Sequence, residues 1–240
     1  MSIKLITLNI EGSKHLNTVI PFLKTEKADI ICLQEVFKVD FKLIKKELNI
    51  DGSFFPMSNR IKITKDYDQA KGVWGLCILS NLKNSVNKFY YVGKGTTPFF
   101  TDNWSDDRVL VYGTFEKNKQ KYTIGTTHFC FTPDGQADNN QRIAFRKLIK
   151  FVTNFGDFIL CGDLNTPRGR EIYTKFTTYF KDNLPKNIKS TIDPKLHKIK
   201  GLKYVVDTIL STSNYVIEKI KLKAGVSDHK ALICIIRIKK

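Results

Sequence analysis

Six stretches of this chain run from apolar, largely β-branched residues straight into side chains that are expensive to bury. Asn9 follows Ile6-Thr7-Leu8, Gln34-Glu35 follows Ile30-Ile31-Cys32-Leu33, and His128 follows Thr123-Ile124-Gly125-Thr126-Thr127. Gly162-Asp163-Leu164-Asn165 follows Phe158-Ile159-Leu160-Cys161, and Asp207 separates Tyr204-Val205-Val206 from Thr208-Ile209-Leu210. Ser227-Asp228-His229 precedes Ala231-Leu232-Ile233-Cys234-Ile235-Ile236. Short branched runs read as buried strands. A carboxylate beside one is costly unless it is paired or holds a metal. A fold that gathers these strand ends at one rim satisfies them together. Taken singly, Asn9 reads as a turn former, Glu35 as a helix-start carboxylate, Asp163 and Asp228 as caps, and His128 as a structural histidine. Their joint order is what argues for a site.

The periodicity between these landmarks is mixed. Residues 3–8, 29–33 and 158–161 read as strands, and Leu16, Val19, Ile20 and Leu23 recur at helical spacing, with Ser13 or Asn17-Thr18 available as cap. The opening is therefore a βαβ-like unit. Phe41, Ile44, Lys45 and Leu48 suggest a second helix, and residues 72–79, 86–92, 108–115 and 122–127 further strands. The last two read as a hairpin joined by residues 116–120. The clearest helix covers residues 139–153, with Ile143, Phe145, Leu148, Ile149 and Val152 as its buried stripe. Strands return at 204–210, 215–222 and 231–238, while 181–201 reads as irregular. This order predicts an α+β fold with mixed, largely antiparallel sheets, organised as a single domain over residues 1–240.

Composition narrows the class. A hydrophobic fraction of 42% supports a real core, and no apolar run reaches the roughly 18 residues of a membrane-spanning helix. The start reads as a first strand and not as a signal peptide, so the expectation is an intracellular, cytoplasmic protein. Cys32, Cys77, Cys130, Cys161 and Cys234 are odd in number, widely spaced and mostly in apolar runs, which reads as buried, reduced thiols. The formal charge of +17 suits a polyanionic partner, nucleic acid first, although anionic lipid head groups would satisfy it too. A Lys-rich compositional background is the plainer reading, since only seven of the 40 basic residues are Arg. No protein partner is legible, and a monomer is expected.

The segments Leu8-Asn9-Ile10-Glu11-Gly12, Leu33-Gln34-Glu35-Val36, Thr127-His128-Phe129, Gly162-Asp163-Leu164-Asn165, Val206-Asp207-Thr208-Ile209 and Ser227-Asp228-His229 together resemble the endonuclease/exonuclease/phosphatase superfamily. The resemblance spans residues 3–236. It implies a four-layer sandwich, two packed β-sheets flanked by helices, with the site at one end. It also implies a histidine branch of the superfamily, similar to pancreatic-type deoxyribonucleases and tyrosyl-DNA phosphodiesterases. A tyrosine in place of His128 would mark the abasic-site endonucleases.

The resemblance implies roles as well. Glu35, with Asn9 and Asp228, would hold Mg²⁺, and Mn²⁺ fits the same oxygen donors. Asp163 would orient or deprotonate the attacking water, and Asn165 would hold that water or a phosphoryl oxygen. His229 would bind the phosphate, with Asp207 fixing its orientation and favouring its charge. His128 would act as an acid toward the leaving group. Glu11 stands where many relatives have Asp. Arg108, Arg168 and Arg170 are candidate phosphate contacts, each with a plain surface or ion-pair reading beside it. The aromatics of residues 96–104 either stack on bases or pack beneath a loop.

The expected function is a divalent-metal-dependent phosphodiester hydrolase, a nuclease or DNA-end-processing enzyme. The alternative is a phospholipid phosphodiesterase or inositol-polyphosphate phosphatase of the same superfamily. A catalytically silent binding module is the third reading, and no key group is missing to favour it.

Overall fold

A computed structural model describes residues 2–62, 70–102 and 104–239. The chain opens with β1 (Ile3–Asn9), α1 (Leu16–Glu26), β2 (Ile30–Phe37), α2 (Lys38–Leu48), β3 (Gly52–Arg60) and β4 (Gly72–Leu79). Next come β5 (Lys83–Val92), β6 (Arg108–Lys117), β7 (Gln120–His128), α3 (Asn139–Val152), β8 (Ile159–Asp163) and α4 (Glu171–Phe176). The chain closes with β9 (Lys181–Asp182), β10 (Asp207–Ser211), β11 (Tyr215–Lys223) and β12 (Ala231–Ile238).

These strands form two six-stranded sheets, ordered β11-β12-β1-β2-β4-β3 and β5-β6-β7-β8-β10-β9. Each sheet has one parallel pair near its centre, β1/β2 in the first and β7/β8 in the second, and every other pairing is antiparallel. Each parallel pair is joined through a helix, α1 or α3, as parallel neighbours require. The expected sandwich of two mixed, largely antiparallel sheets is what the chain forms.

Side-chain alternation builds the layers. Leu5 and Cys32 of the first sheet meet Val109, Ile124, Ile159, Cys161 and Ile209 of the second in an inter-sheet core. The opposite faces turn outward: Ile6, Leu8 and Leu33 pack with Val19, Leu23 and Ile44 of α1 and α2. On the far side, Leu110, Leu160 and Leu210 pack with Phe145, Leu148, Ile172 and Phe176 of α3 and α4. All five cysteines are free and buried, as expected.

Some elements differ from the sequence reading. The β6–β7 loop is a two-residue turn, because Lys117 pairs with Gln120 and both Asn118 and Lys119 have positive φ. Helix α1 starts after His15 without a side-chain cap, and Ser13 instead donates to Asp40. The edge strand β3 was not foreseen, since Pro56 and its polar neighbours mask a strand pattern.

Candidate active site

The site is the polar continuation of the inter-sheet core. Period-two alternation carries the inward face of β1 from Thr7 to Asn9, of β7 from Thr126 to His128, and of β8 from Cys161 to Asp163. On antiparallel β10, Asp207 stands opposite Asp163 and precedes inward Ile209. Buried Gln34 braces the two sheets just beneath, donating to Thr7 Oγ1 at 3.1 Å and to Thr126 Oγ1 at 2.9 Å.

Glu35 reaches the same rim by a break in the rule. Continued alternation after Gln34 would point it outward. Instead the β2–β4 register shifts between Leu33 and Val36, and Glu35 adopts φ 58°. Such a bulge re-aims one side chain. Gly162 supplies the second exception: its φ is 123°, and a Cβ there would sit 2.2 Å from the Thr127 carbonyl oxygen. Only glycine lets β8 approach β7 closely enough to set Asp163 opposite His128.

Eight predicted residues converge. The Asn9 amide nitrogen donates to Glu35 Oε1 and to Asp163 Oδ2, both at 3.1 Å. Its own oxygen accepts the Glu11 N–H at 3.1 Å, which orients the amide. Asn9 therefore ties the two carboxylates together, with its oxygen already engaged. His128 Nε2 lies 3.6 Å from both Glu35 Oε1 and Asp163 Oδ2. His229 Nδ1 is 2.8 Å from Asp207 Oδ2, and its Nε2 is 3.9 Å from Asp163 Oδ2. Asp228 accepts from Ser227 Oγ at 3.1 Å. Asn165, at φ 51°, returns its N–H to Asp163 Oδ1 at 2.8 Å and its side-chain amide to Phe129 O at 3.0 Å.

Electrostatics separates the roles. Burial, and then the charge of Asp228, push Glu35 up to about 7. Burial lifts Asp163 to about 6 against the opposing pull of His229, a value suited to a general base near neutrality. Burial also raises Asp228. Burial works against the charge on His229, yet Asp207, Asp228 and Asp163 together lift it well above the usual histidine range. His128 goes the other way, held well below that range by burial and by Arg108. Among the described residues its Nδ1 is buried without a partner. A histidine kept neutral is a poor match for the leaving-group acid that the resemblance implies.

The donor set fits a divalent cation. Glu35 and Asp228 are oxygen donors whose mutual repulsion a cation would relieve, and such oxygen-rich sites suit Mg²⁺ or Mn²⁺. Ligand atoms of Glu11, His15 and Asp228 also lie within 4.8 Å of one another, as do those of Asp163, Asp207 and His229. In the second group the His229 Nδ1–Asp207 hydrogen bond already occupies the ring nitrogen.

Glu35, His128, Asp163, Asn165, Asp228 and His229 line a cleft of about 500 Å³. One wall is cationic and aromatic: the Arg60 guanidinium lies 3.9 Å from the ring centres of both Trp74 and Phe100, and Asp106 pairs with Arg60 at 2.9 Å. Arg108 joins this wall, 3.6 Å from Asp106 and donating to the His128 carbonyl at 3.3 Å. The lining also includes Phe131, Pro133, Ile199, Leu202 and Tyr204. The structure does not bring Arg168 and Arg170 into the cleft. Arg168 is spent on the carbonyls of Leu184 and Pro185 and on Asp182, and Arg170 holds the N-cap position of α4 without a side-chain cap. Of the 96–104 aromatics, Phe100 covers Arg60 and Trp104 packs beside the α3/α4 layer, while Asn103 lies outside the described residues.

Sequence reasoning missed Arg60, Trp74, Asp106 and the 192–204 wall. One signal was available: three of the chain's four histidines, His128, His197 and His229, line this cleft, and His15 contacts Glu11 of its lining at 2.8 Å.

The sequence model of the Endonuclease/Exonuclease/phosphatase family matches residues 6–229. The chain belongs to that family. Members of the family are hydrolases of phosphoester bonds and generally use a divalent metal. No curated protein matches the chain in sequence. Among solved structures, the family protein from Bacteroides vulgatus is similar at TM-score 0.74 and 16% identity, covering 100% of both chains. The mannosyl-6-phosphatase Bt3783 of Bacteroides thetaiotaomicron gives 0.70 and 12%, covering 99% of this chain and 100% of its own. The endonuclease domain of TRAS1, a telomere-specific non-LTR retrotransposon, gives 0.64 and 13%, covering 100% of both. At such identities the likeness is one of fold. Among the described residues no helix is long and apolar enough to cross a membrane.

Proposed function

We propose that this family member hydrolyses phosphodiesters in nucleic acid with the help of a divalent cation, Mg²⁺ or Mn²⁺. The observation that carries the reading is the buried Asp163 carboxylate, set among Asn9, His128 and the Asp207–His229 pair at the floor of a cleft with Arg60 and Arg108 on one wall. Attack on an anionic diester needs a positioned water, compensation of phosphoryl charge, and help for the departing oxygen. Glu35 and Asp228 would hold the cation, which when bound would neutralise phosphoryl charge. Asp163 orients the water and takes its proton. The Asn165 backbone N–H holds the Asp163 carboxylate in place. His229, kept charged by Asp207, binds a phosphoryl oxygen. Neutral His128 serves as a hydrogen-bonding group between Glu35 and Asp163. Arg108 supports the phosphate side of the cleft.

The net charge of +17 favours a polyanionic substrate. The apolar lining residues Phe131, Ile199 and Leu202 support the second reading, a phospholipid or phosphoinositide substrate in the same site. A side-by-side assay of DNA, RNA, sphingomyelin and phosphoinositides, with Mg²⁺, Mn²⁺ or chelator, decides between them. Metal-dependent turnover of DNA or RNA is expected, and turnover confined to lipid ends the nuclease reading.

A further inference from the structure

The segment that reads as irregular in sequence is anchored with unusual density beside Asp228 and His229. Ile192 bridges His229, the Asp193 N–H donates to Asp228 O at 2.7 Å, and Lys230 N–H donates to Thr191 O at 2.7 Å. The buried Asp193 carboxylate then gathers three backbone amides, those of Lys195, Leu196 and Gly225, at 2.7 to 3.0 Å. Its carbonyl accepts the His197 N–H at 3.2 Å. A carboxylate that holds three amides fixes a loop as firmly as a short regular element would. The side chain so positioned is His197, which lines the cleft with its ring centre 6.3 Å from that of His229.

The ring is also prepared chemically. Ile199 offers Nδ1 both its carbonyl, at 3.2 Å, and its N–H, at 3.1 Å. Nδ1 therefore finds a partner whether or not it bears a proton, and Nε2 is left for the cleft. The other cleft histidines are committed: His128 sits between Glu35 and Asp163, and His229 between Asp207 and Asp163. Both stand with the carboxylate that handles the incoming water. His197 is carried instead by the loop whose Asp193 N–H bonds the Asp228 carbonyl. In-line displacement puts the departing oxygen opposite the water.

We propose that His197 is a catalytic residue that donates a hydrogen bond from Nε2 to the oxygen leaving phosphorus. This rests on the phosphodiester reading above. The test compares His197→Ala and His197→Gln on two diesters, bis(p-nitrophenyl) phosphate and a dinucleoside phosphate. Nitrophenolate departs without help, whereas a sugar alkoxide needs its charge stabilised. For His197→Ala, kcat on the dinucleoside phosphate should fall about a hundredfold, and on the aryl diester no more than about threefold. His197→Gln, which keeps a donor, should recover part of the loss. Equal loss on both substrates, or a change confined to KM, overturns the inference and leaves the functional reading standing. Absence of turnover on both substrates by the unaltered protein overturns that reading and the inference with it.

Discussion

The carboxylates of Glu35 and Asp163 belong to different sheets, yet both accept a hydrogen bond from the same Asn9 amide nitrogen, each at 3.1 Å. The bulge at Glu35 and the glycine before Asp163 make this meeting possible. It couples the residue assigned to the cation to the residue assigned to the water.

Loss of that shared donor should be visible in pH dependence. The Asn9 hydrogen bond lowers the pKa of both carboxylates. In Asn9→Ala each is harder to ionise, so the acid limb of the kcat/KM profile should move to higher pH. A pH–rate profile of the variant with an unmoved acid limb would contradict this role.

The opposite limb belongs to His229. Asp207 raises its pKa, so the charged ring persists until pH climbs through that raised value. Asp207→Asn removes the adjacent negative charge, lowers the pKa and should bring the alkaline limb to lower pH. Unchanged alkaline titration would show that Asp207 does not set the charge of His229.

Gly162 should be irreplaceable on steric grounds. Its φ of 123° and the 2.2 Å approach to the Thr127 carbonyl leave no room for a methyl group. Gly162→Ala should lower stability by about 1–3 kcal/mol in urea unfolding, with turnover reduced because Asp163 and His128 shift. Unaltered stability would mean that the β7–β8 approach is looser than the register requires.

Charge makes a separate prediction. If the +17 balance serves a polyanion, nucleic-acid affinity should fall roughly tenfold or more between about 50 and about 200 mM salt. Fluorescence anisotropy checks this, and a flat response would reduce the charge to compositional background.

Much of this site was legible because its chemistry follows strand periodicity. Asn9, His128 and Asp163 are the last inward positions of buried runs, and such runs announce themselves in sequence. Arg60 was not legible, because it ends an edge strand whose Pro56 and serines hide the alternation. His197 was hidden for a different reason: its position depends on Asp193 gathering amides from both sides, including the distant Gly225. Such a loop has no period to read. Arg168 shows the converse failure, since adjacency to Asn165 in sequence suggested the cleft while its guanidinium braces Leu184 and Pro185.

The most direct test of the account is the turnover of Asp163→Asn on a nucleic-acid substrate in the presence of Mg²⁺. The substitution keeps the shape of a buried side chain and removes the group assigned to the water. Turnover should fall roughly a hundredfold or more while unfolding stays cooperative. Activity within about threefold of the unaltered protein would place the chemistry elsewhere.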